Sequence, residues 1–295
     1  MSDLSLPLPS DFNHESTLRY LDRSPLELLH QVEGETVSRL IEIEGAAPIL
    51  CRMVLTDDQV QIECLNRSPK EAEKKYLVQY IEQWWDLKRD LSPFYSLAEG
   101  DPLLSQTLAG NRGLRMMGVP DLFEALCWSI VGQQITLAFA YQLKKNLIEA
   151  FGNTYEWEGQ QYWMFPRPEV IAEKEVEDLI PLKLIRRRCE YIIGIAQSIV
   201  EGKLDRSALL AVQSAKAAEK LLVAQRGIGP WSANYVMMRC LRYPDAYPTG
   251  DAGLQNAVKK LLQMDQKPTE TELRELAIPW QGWEAYATFY LWAML

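Results

Sequence analysis

Two glycines stand where one helical pattern stops and another begins, a placement that suits the binding of an anion. Gly227 and Gly229 flank one apolar residue, Ile228, and Pro230 then restarts the helical pattern. Paired glycines let the backbone turn sharply and approach another surface. The restarted helix presents unpaired N–H groups that suit a phosphate. An ordinary corner between two helices is the alternative interpretation of this turn.

A single carboxylate follows this hairpin. Asp251 comes after a Tyr-Pro-Thr-Gly loop and heads the helical pattern that begins at Ala252. Aspartate at such a position caps a helix by accepting a backbone N–H, and an oriented, ionised carboxylate also stabilises a developing positive charge. Trp231 and Tyr235, four residues apart on one helical face, form either part of the hydrophobic core or an aromatic wall beside the carboxylate.

A small N-terminal α/β unit precedes the helices that carry these residues. Three short stretches with alternating polarity between Glu35 and Asn66 predict three antiparallel strands. Ser68 and Pro69 predict the start of a helix that runs on through Trp85. The fold class is therefore α+β, with residues 1–97 as the N-terminal domain.

Beyond this unit almost every periodic pattern is helical. Asp121 is expected to begin one long helical run that ends at Phe151 and Gly152. The predicted organisation is a linker at 98–119 that joins the C-terminal helical lobe, a central helical lobe at 120–242 with the helix-hairpin-helix at 215–242, and a C-terminal helical lobe at 243–295. No repeat of fixed period is present, which excludes a solenoid.

Composition excludes several classes of protein. The 295 residues are 47% hydrophobic and 24% charged, which is not the composition of a disordered chain. Five dispersed cysteines without a CxxC pair encode neither a disulfide framework nor a cysteine metal site. No stretch approaches the roughly 20 apolar residues that span a bilayer, and the N-terminus lacks a leader pattern. We therefore expect a cytoplasmic protein without a membrane partner.

Charge is distributed unevenly along the chain. The 31 basic and 40 acidic residues give a net charge of -9, which argues against nucleic-acid binding by the overall field of the protein. Residues 111–260 hold 19 basic and 16 acidic side chains, a net of +3, so the remainder carries 12 basic and 24 acidic side chains, a net of -12. An anionic partner would therefore meet the middle of the chain.

Several sequence motifs taken together resemble those of the helix-hairpin-helix DNA glycosylase superfamily, and most closely those of the bacterial 3-methyladenine DNA glycosylase II group. They are Gly227-Ile-Gly-x-Trp-Ser-Ala-x-Tyr, Pro248-x-x-Asp251, Ile130-Val-Gly-Gln133-Gln134-Ile, Lys183-Leu-Ile-Arg-Arg-Arg-Cys-Glu-Tyr-Ile, and Trp280-Gln-Gly-Trp283-Glu-Ala-Tyr286 with Leu-Trp292 behind it. The resemblance covers about residue 113 to the C-terminus. In that group the N-terminal α/β unit is TATA-binding-protein-like.

The resemblance implies an enzyme that flips an alkylated purine out of double-stranded DNA and hydrolyses its N-glycosidic bond. Such a base is read in a pocket with aromatic walls, and a purine methylated on a ring nitrogen is cationic and attracted to them. The resemblance gives Asp251 the role of the catalytic carboxylate. The implied base pocket consists of Trp231, Tyr235, Trp280 and Tyr20.

Two absences narrow the implied chemistry. Superfamily members that cleave the strand carry a lysine where this chain has Trp231, so the resemblance implies a monofunctional enzyme that leaves an abasic site. Cys240 is the last cysteine, so the iron–sulfur cluster of some relatives is not expected. No cofactor is required by this prediction.

The remaining implied roles concern DNA binding. By resemblance, a side chain in the Gly-Gln-x segment, here Gln134, fills the gap left by the flipped base, with an exposed polar helix face as the alternative. The predicted DNA-binding residues are Gln133, Gln134, Gly227, Ile228 and Gly229. Carbonyl groups of Val223, Gln225 and Ile228 are implied to hold a structural Na⁺ or K⁺ at the hairpin. Glu284 departs from the arginine that relatives often have.

Two further classes of function are open at this point. One is a catalytically inactive protein of the same fold that recognises lesions, which the aspartate and the aromatic residues disfavour. The other is an unrelated helical enzyme or scaffold, which the net charge of -9 favours and the hairpin with its aspartate disfavours. The leading prediction is a glycosylase that acts as a monomer on alkylated double-stranded DNA.

Overall fold

The N-terminal unit is built on a five-stranded antiparallel sheet. The computed structural model describes residues 4–212 and 214–295. The strand order is β1-β5-β4-β3-β2, and the strands are β1 (Leu4–Pro7), β2 (Gln31–Glu33), β3 (Thr36–Ile43), β4 (Ala46–Leu55) and β5 (Gln59–Cys64). The three predicted strands are the centre of this sheet, and the short strands β1 and β2 at its edges were not predicted.

Helix α2 (Glu71–Trp85) contributes apolar residues to the core that the sheet builds. Its Leu77 and Ile81 are fully buried in one core cluster with residues of β3, β4 and β5. The prediction that this helix starts at Ser68 and Pro69 is wrong by two residues, because Lys70 is the N-cap and Glu71 the first helical residue. The Glu73 carboxylate accepts a hydrogen bond from the Lys70 backbone N–H (2.6 Å), which fixes the first turn at Glu71.

The remaining elements are mostly helical and surround the candidate site. The helices are α1 (His14–Leu21), α3 (Ser92–Gly100), α4 (Ser105–Leu108), α5 (Leu122–Val131), α6 (Leu137–Phe151), α7 (Pro168–Ala172), α8 (Val176–Leu179), α9 (Arg186–Val200), α10 (Arg206–Ala211), α11 (Ala215–Val223), α12 (Pro230–Val236), α13 (Ala252–Leu261), α14 (Glu270–Leu276) and α15 (Glu284–Trp292). Short 3₁₀ turns lie at Ile180–Leu182 and Ile278–Trp280, and the π-helical segment Met237–Leu241 extends α12.

Two features of the central region differ from the prediction. The single helix expected from Asp121 to Phe151 is two helices, α5 and α6, because Gln134 adopts a left-handed backbone conformation (φ 55°) and Thr136 caps a new helix. A β-hairpin of β6 (Thr154–Trp157) and β7 (Gln160–Trp163) follows α6. Strands of four residues are too short to carry a clear alternating pattern.

One continuous hydrophobic core joins the N-terminal unit to the helices. Asp86, which follows α2, accepts hydrogen bonds from the Tyr286 hydroxyl (2.6 Å) and lies 2.8 Å from Arg242. Burial opposes ionisation of Asp86, but Arg242 and Arg89 hold its pKa below the usual value. The two units are therefore fastened by a buried ion pair as well as by apolar packing. Within the described residues, no helix is long and apolar enough to cross a membrane.

Candidate active site at the hairpin and Asp251

The hairpin between α11 and α12 needs glycine at its first turn position. Gly227 has φ 95°, and a Cβ placed on it would lie 2.3 Å from the Tyr191 ring. The Gln133 side-chain amide donates to the Gly227 carbonyl (2.9 Å) and to the Ser232 hydroxyl (3.1 Å). Gly229 then precedes the first turn of α12, with open space where its Cβ would lie. Gly227 therefore allows close packing against Tyr191, and Gly229 leaves the start of α12 open to a bound group.

Asp251 caps α13 and also receives two indole N–H groups. Its Oδ1 accepts from the Leu254 backbone N–H (2.7 Å) and from Trp292 Nε1 (2.8 Å). Its Oδ2 accepts from Trp231 Nε1 (2.8 Å). N–H donors on both oxygens complement a carboxylate and fix its orientation. The side chain is half-buried, so it is held by the protein and still reached by solvent.

Aromatic rings extend from this carboxylate toward the N-terminal unit. The Trp231 and Tyr235 ring centroids are 6.0 Å apart, and the Tyr235 and Trp292 centroids are 6.3 Å apart. The Arg239 guanidinium links Tyr235 to Tyr20, at 5.5 Å and 5.6 Å from the two ring centroids. Three of the four predicted pocket aromatics, Trp231, Tyr235 and Tyr20, are thus brought together.

Trp280, the fourth predicted pocket residue, lies apart from this group. Its side chain is fully buried, its indole N–H donates to Asp101 Oδ2 (2.8 Å), and its ring packs against Tyr247 with centroids 6.3 Å apart. Because Trp280 is fully buried and its indole N–H is bound to Asp101, the residue belongs to the core that joins α3 to the C-terminal helices. A base-stacking role for Trp280 does not follow from this position.

Trp292 is the residue that sequence reasoning missed. It lies in the C-terminal motif, but only the packing of α15 against α13 brings its indole to Asp251. The available signal was its spacing of three residues from Phe289, which places both on one face of α15. Phe289 contacts Tyr20, with ring centroids 4.9 Å apart.

A cavity of about 50 Å³ opens between the N-terminal unit and the helices. Its lining includes the rings of Tyr20, Trp128, Tyr141 and Tyr235 and the guanidinium groups of Arg23 and Arg239. Desolvation raises the pKa of Tyr235 to about 12, so its hydroxyl stays protonated at neutral pH. The cavity is therefore aromatic and cationic, and Tyr235 connects it to Trp231 beside Asp251.

The Gly-Gln-Gln segment lies against the same hairpin. Arg188 of α9 donates a hydrogen bond to the Gln133 carbonyl, and the Gln133 amide binds Gly227. Gln134 follows with its left-handed backbone and an exposed side chain. Gln133 is thus hydrogen-bonded to the hairpin, whereas the Gln134 side chain is exposed.

The carbonyl groups predicted to hold a monovalent cation lie at the end of α11 and in the hairpin. The Gln225 carbonyl accepts from the Ile228 N–H (3.1 Å). The carbonyls of Val223 and Ile228 accept no hydrogen bond within the part of the chain that the structure describes. Two free carbonyls close to a turn fit a hard cation, which prefers oxygen ligands. In the described ranges no group of histidine, cysteine or carboxylate side chains could hold a metal ion.

Comparison with known proteins identifies the family. The family model for HhH-GPD superfamily base excision DNA repair proteins matches residues 127–281. A DNA-3-methyladenine glycosylase of Bacillus subtilis is 44% identical over 98% of this chain and 96% of its own length. The chain belongs to the HhH-GPD superfamily. The N-terminal domain of 8-oxoguanine DNA glycosylase matches this HhH-GPD protein at residues 30–126.

Other relatives of this HhH-GPD protein agree with that assignment. DNA-3-methyladenine glycosylase 2 of Escherichia coli is 28% identical over 62% of this chain and 61% of its own length. The structure of a 3-methyladenine DNA-glycosylase from Archaeoglobus fulgidus superimposes with a TM-score of 0.85 at 23% identity, covering 98% of this chain and 97% of the other. The predicted fold and the predicted base-excision repair glycosylase are confirmed.

Proposed function

We propose that this HhH-GPD protein flips an alkylated purine out of duplex DNA and hydrolyses its N-glycosidic bond. The observation that carries the proposal is the Asp251 carboxylate, held on both oxygens by the Trp231 and Trp292 indoles beside the ring of Tyr235. The Bacillus subtilis relative, similar over nearly its whole length, is named for 3-methyladenine release and supports the same substrate class.

The geometry suits a reaction in which the leaving base is already activated. A purine alkylated on a ring nitrogen is cationic, stacks on aromatic faces, and leaves with the electron pair of the C1′–N bond without needing a proton. The sugar then develops oxocarbenium character, which the negative charge of Asp251 stabilises. Water adds at C1′ and loses a proton to solvent, and the product is an abasic site.

The reaction ends at the abasic site because no amine replaces Trp231. A lyase reaction needs a lysine that forms a Schiff base with C1′. Here the corresponding side chain is an indole whose N–H is bound to Asp251 Oδ2. The protein is therefore a monofunctional glycosylase in this proposal, and it acts as a monomer.

The hairpin and the segment beside it form the proposed DNA contact. The backbone N–H groups of Gly227 and Gly229, on either side of Ile228, bind one phosphate, and Gln134 fills the space that the flipped base leaves. A Na⁺ or K⁺ held by carbonyls of Val223, Gln225 and Ile228 would add positive charge at the same turn. The Gln133 amide, bound to the Gly227 carbonyl, holds the two segments in register.

The test is release of 3-methyladenine and 7-methylguanine from alkylated duplex DNA by the wild-type protein and by Asp251→Asn. Asparagine caps helices as well as aspartate does, so α13 is retained while the charge is lost. Base release should fall by at least about 100-fold, the cost of removing one electrostatic group from such a site. Asp205→Asn is the matched control, because Asp205 caps α10 through the Ala208 N–H (2.8 Å), away from the site.

Three outcomes separate the functions. Release by wild type and Asp205→Asn but not by Asp251→Asn supports the glycosylase and its carboxylate together. Equal release by Asp251→Asn would remove Asp251 from the mechanism. Binding to an abasic-site duplex at low salt without release by any of the three proteins would favour the lesion-recognising function instead.

A further inference from the structure

The three arginines that begin α9 lie in three different environments. Arg186 forms a surface ion pair with Glu177 (2.7 Å). Arg188 is half-buried and donates to a carbonyl of the Gly-Gln-Gln segment. Arg187 is exposed and pairs with no carboxylate in the described part of the chain. Of the three, only Arg187 is therefore both open to solvent and without an acidic partner among the described residues.

The ring of Tyr191 brings Arg187 together with a second arginine, Arg226. The Cζ atoms of Arg187 and Arg226 lie 5.4 Å and 5.6 Å from the centroid of this ring. Cations at such distances are attracted to the face of an aromatic ring. The Arg187 Nε also donates to the Tyr191 hydroxyl, so its two terminal nitrogens keep N–H groups that bind nothing within residues 4–212 and 214–295. One buried tyrosine thus gathers two positive charges at the surface.

Tyr191 also fixes the position of these charges relative to the hairpin. Its ring lies so close to Gly227 that a Cβ on Gly227 would be 2.3 Å from it. Arg226 directly precedes Gly227 in the chain. Both guanidinium groups are therefore next to the turn whose N–H groups bind one phosphate in the proposed function. A DNA strand carries one phosphate for about every 3.4 Å of helix axis, so a neighbouring phosphate reaches this position.

One carboxylate already occupies part of this surface. Glu190 accepts a hydrogen bond from Arg226 (2.7 Å), and the Arg226 side chain is 75% exposed. Exposed ion pairs of this kind are weak because water screens them. A phosphate accepts parallel hydrogen bonds from a guanidinium as a carboxylate does. It can therefore take the place of Glu190 on Arg226.

We propose that Arg187 and Arg226 form a second phosphate site, which binds the DNA backbone beside the phosphate held by the hairpin. The proposal rests on the duplex binding of the proposed function. Arg187 supplies unused donors, and Arg226 exchanges Glu190 for a phosphate oxygen when DNA binds. Both contacts are independent of base sequence, because they reach only the backbone. A chain with a net charge of -9 thus gains affinity for DNA through two local charges.

The salt dependence of DNA binding tests this site. Each phosphate contact contributes about 0.9 to the slope of log Kd against log salt on duplex DNA. For an abasic-site duplex, Arg187→Gln should lower the slope by about 0.9 and weaken binding about tenfold at low salt. Arg226→Gln should weaken binding less, because Arg226 gives up Glu190 when it binds the phosphate. Arg186→Gln is the matched control, since it removes the same charge from the neighbouring position of α9 and should leave the slope unchanged.

Neutral phosphates locate the contact on the DNA. Methylphosphonate linkages are placed one at a time around the abasic site, and each weakens binding where a charged contact is lost. Wild type should be sensitive at two neighbouring positions, one for the hairpin and one for the arginine pair. In Arg187→Gln the hairpin position should stay sensitive while the second position loses most of its effect, because two changes that remove one contact are not additive.

The outcomes separate this site from the function on which it rests. Failure of wild type to bind the duplex would remove the proposed function itself. Normal binding with an unchanged salt slope in Arg187→Gln would overturn only the second site. An equal loss in Arg186→Gln would overturn it as well, because the effect would then come from net charge. If Arg187→Gln does not fold, Arg226→Gln replaces it, since that side chain is exposed, and wild-type affinity in that variant refutes the site.

Discussion

Replacement of Trp292 by phenylalanine tests whether the orientation of Asp251 matters for catalysis. Phenylalanine keeps an aromatic ring beside Tyr235 and Phe289, whose centroids lie 6.3 Å and 6.4 Å from Trp292. It removes the N–H that donates to Asp251 Oδ1 (2.8 Å). The carboxylate keeps the Leu254 and Trp231 donors, so it remains a helix cap but loses one of three constraints.

The expected magnitude follows from that single hydrogen bond. A hydrogen bond to a charged group contributes about 1.5–3 kcal/mol, and each 1.4 kcal/mol corresponds to about tenfold in rate. If the bond acts fully in the transition state, the single-turnover rate of base release falls about 10- to 100-fold, while the Kd for abasic-site DNA stays within about threefold.

Trp283→Phe is the matched control for this substitution. The Trp283 ring packs against Phe94 (5.8 Å between centroids), and its N–H donates to no group in the described ranges. This variant should retain the wild-type rate. A Trp292→Phe protein that releases bases within twofold of wild type would refute the orienting role of the indole. A parallel loss of DNA binding would indicate structural damage instead.

Two further predictions concern the DNA contact and the buried ion pairs. Gln134→Gly removes a left-handed glutamine (φ 55°), so it should stabilise the fold by up to about 1 kcal/mol in urea titrations, yet slow base release from duplex DNA more than from single-stranded DNA. The control Gln263→Gly (φ 52°), remote from the site, should change only the stability. Unchanged activity of Gln134→Gly on duplex DNA would contradict a gap-filling role. Burial opposes ionisation of Glu27, but Lys144 holds its pKa at about 2, so between pH 4.5 and 2 the native state binds fewer protons than the unfolded chain and loses stability as the pH falls. Glu27→Gln should therefore flatten the decline in melting temperature over this pH range and lower the stability by about 3 kcal/mol at neutral pH. An unchanged dependence of melting temperature on pH would contradict the stabilising role of the pair.

Local sequence signals were sufficient for the hairpin and its aspartate. Gly227, Pro230 and Asp251 act through backbone geometry and capping, which depend on near neighbours in the chain. The three central strands were predictable for the same reason, since alternating polarity reports a half-buried sheet. The edge strands β1 and β2 are too short to show it.

Contacts between distant segments were not predictable from one sequence. Trp280 and Trp292 both lie in the C-terminal motif, and the spacing of Trp292 from Phe289 indicates its face of α15 but not its contact with Asp251. That contact depends on α15 packing against α13, while Trp280 turns to Asp101. The position of Arg23 in the cavity lining was not predicted for a similar reason, because its hydrogen-bond partner Tyr141 lies on the distant helix α6.

The double use of Asp251 links activity to the opening of a single helical turn. The hydrogen bond from the Leu254 N–H begins α13 and also holds Oδ1 in place. First turns of helices open far more easily than whole domains unfold. Each such opening removes one of the three donors that orient the carboxylate, leaving only the Trp231 and Trp292 indoles, while the rest of the protein stays folded. On heating, this enzyme should therefore lose part of its activity reversibly, in molecules that a melting curve still counts as native.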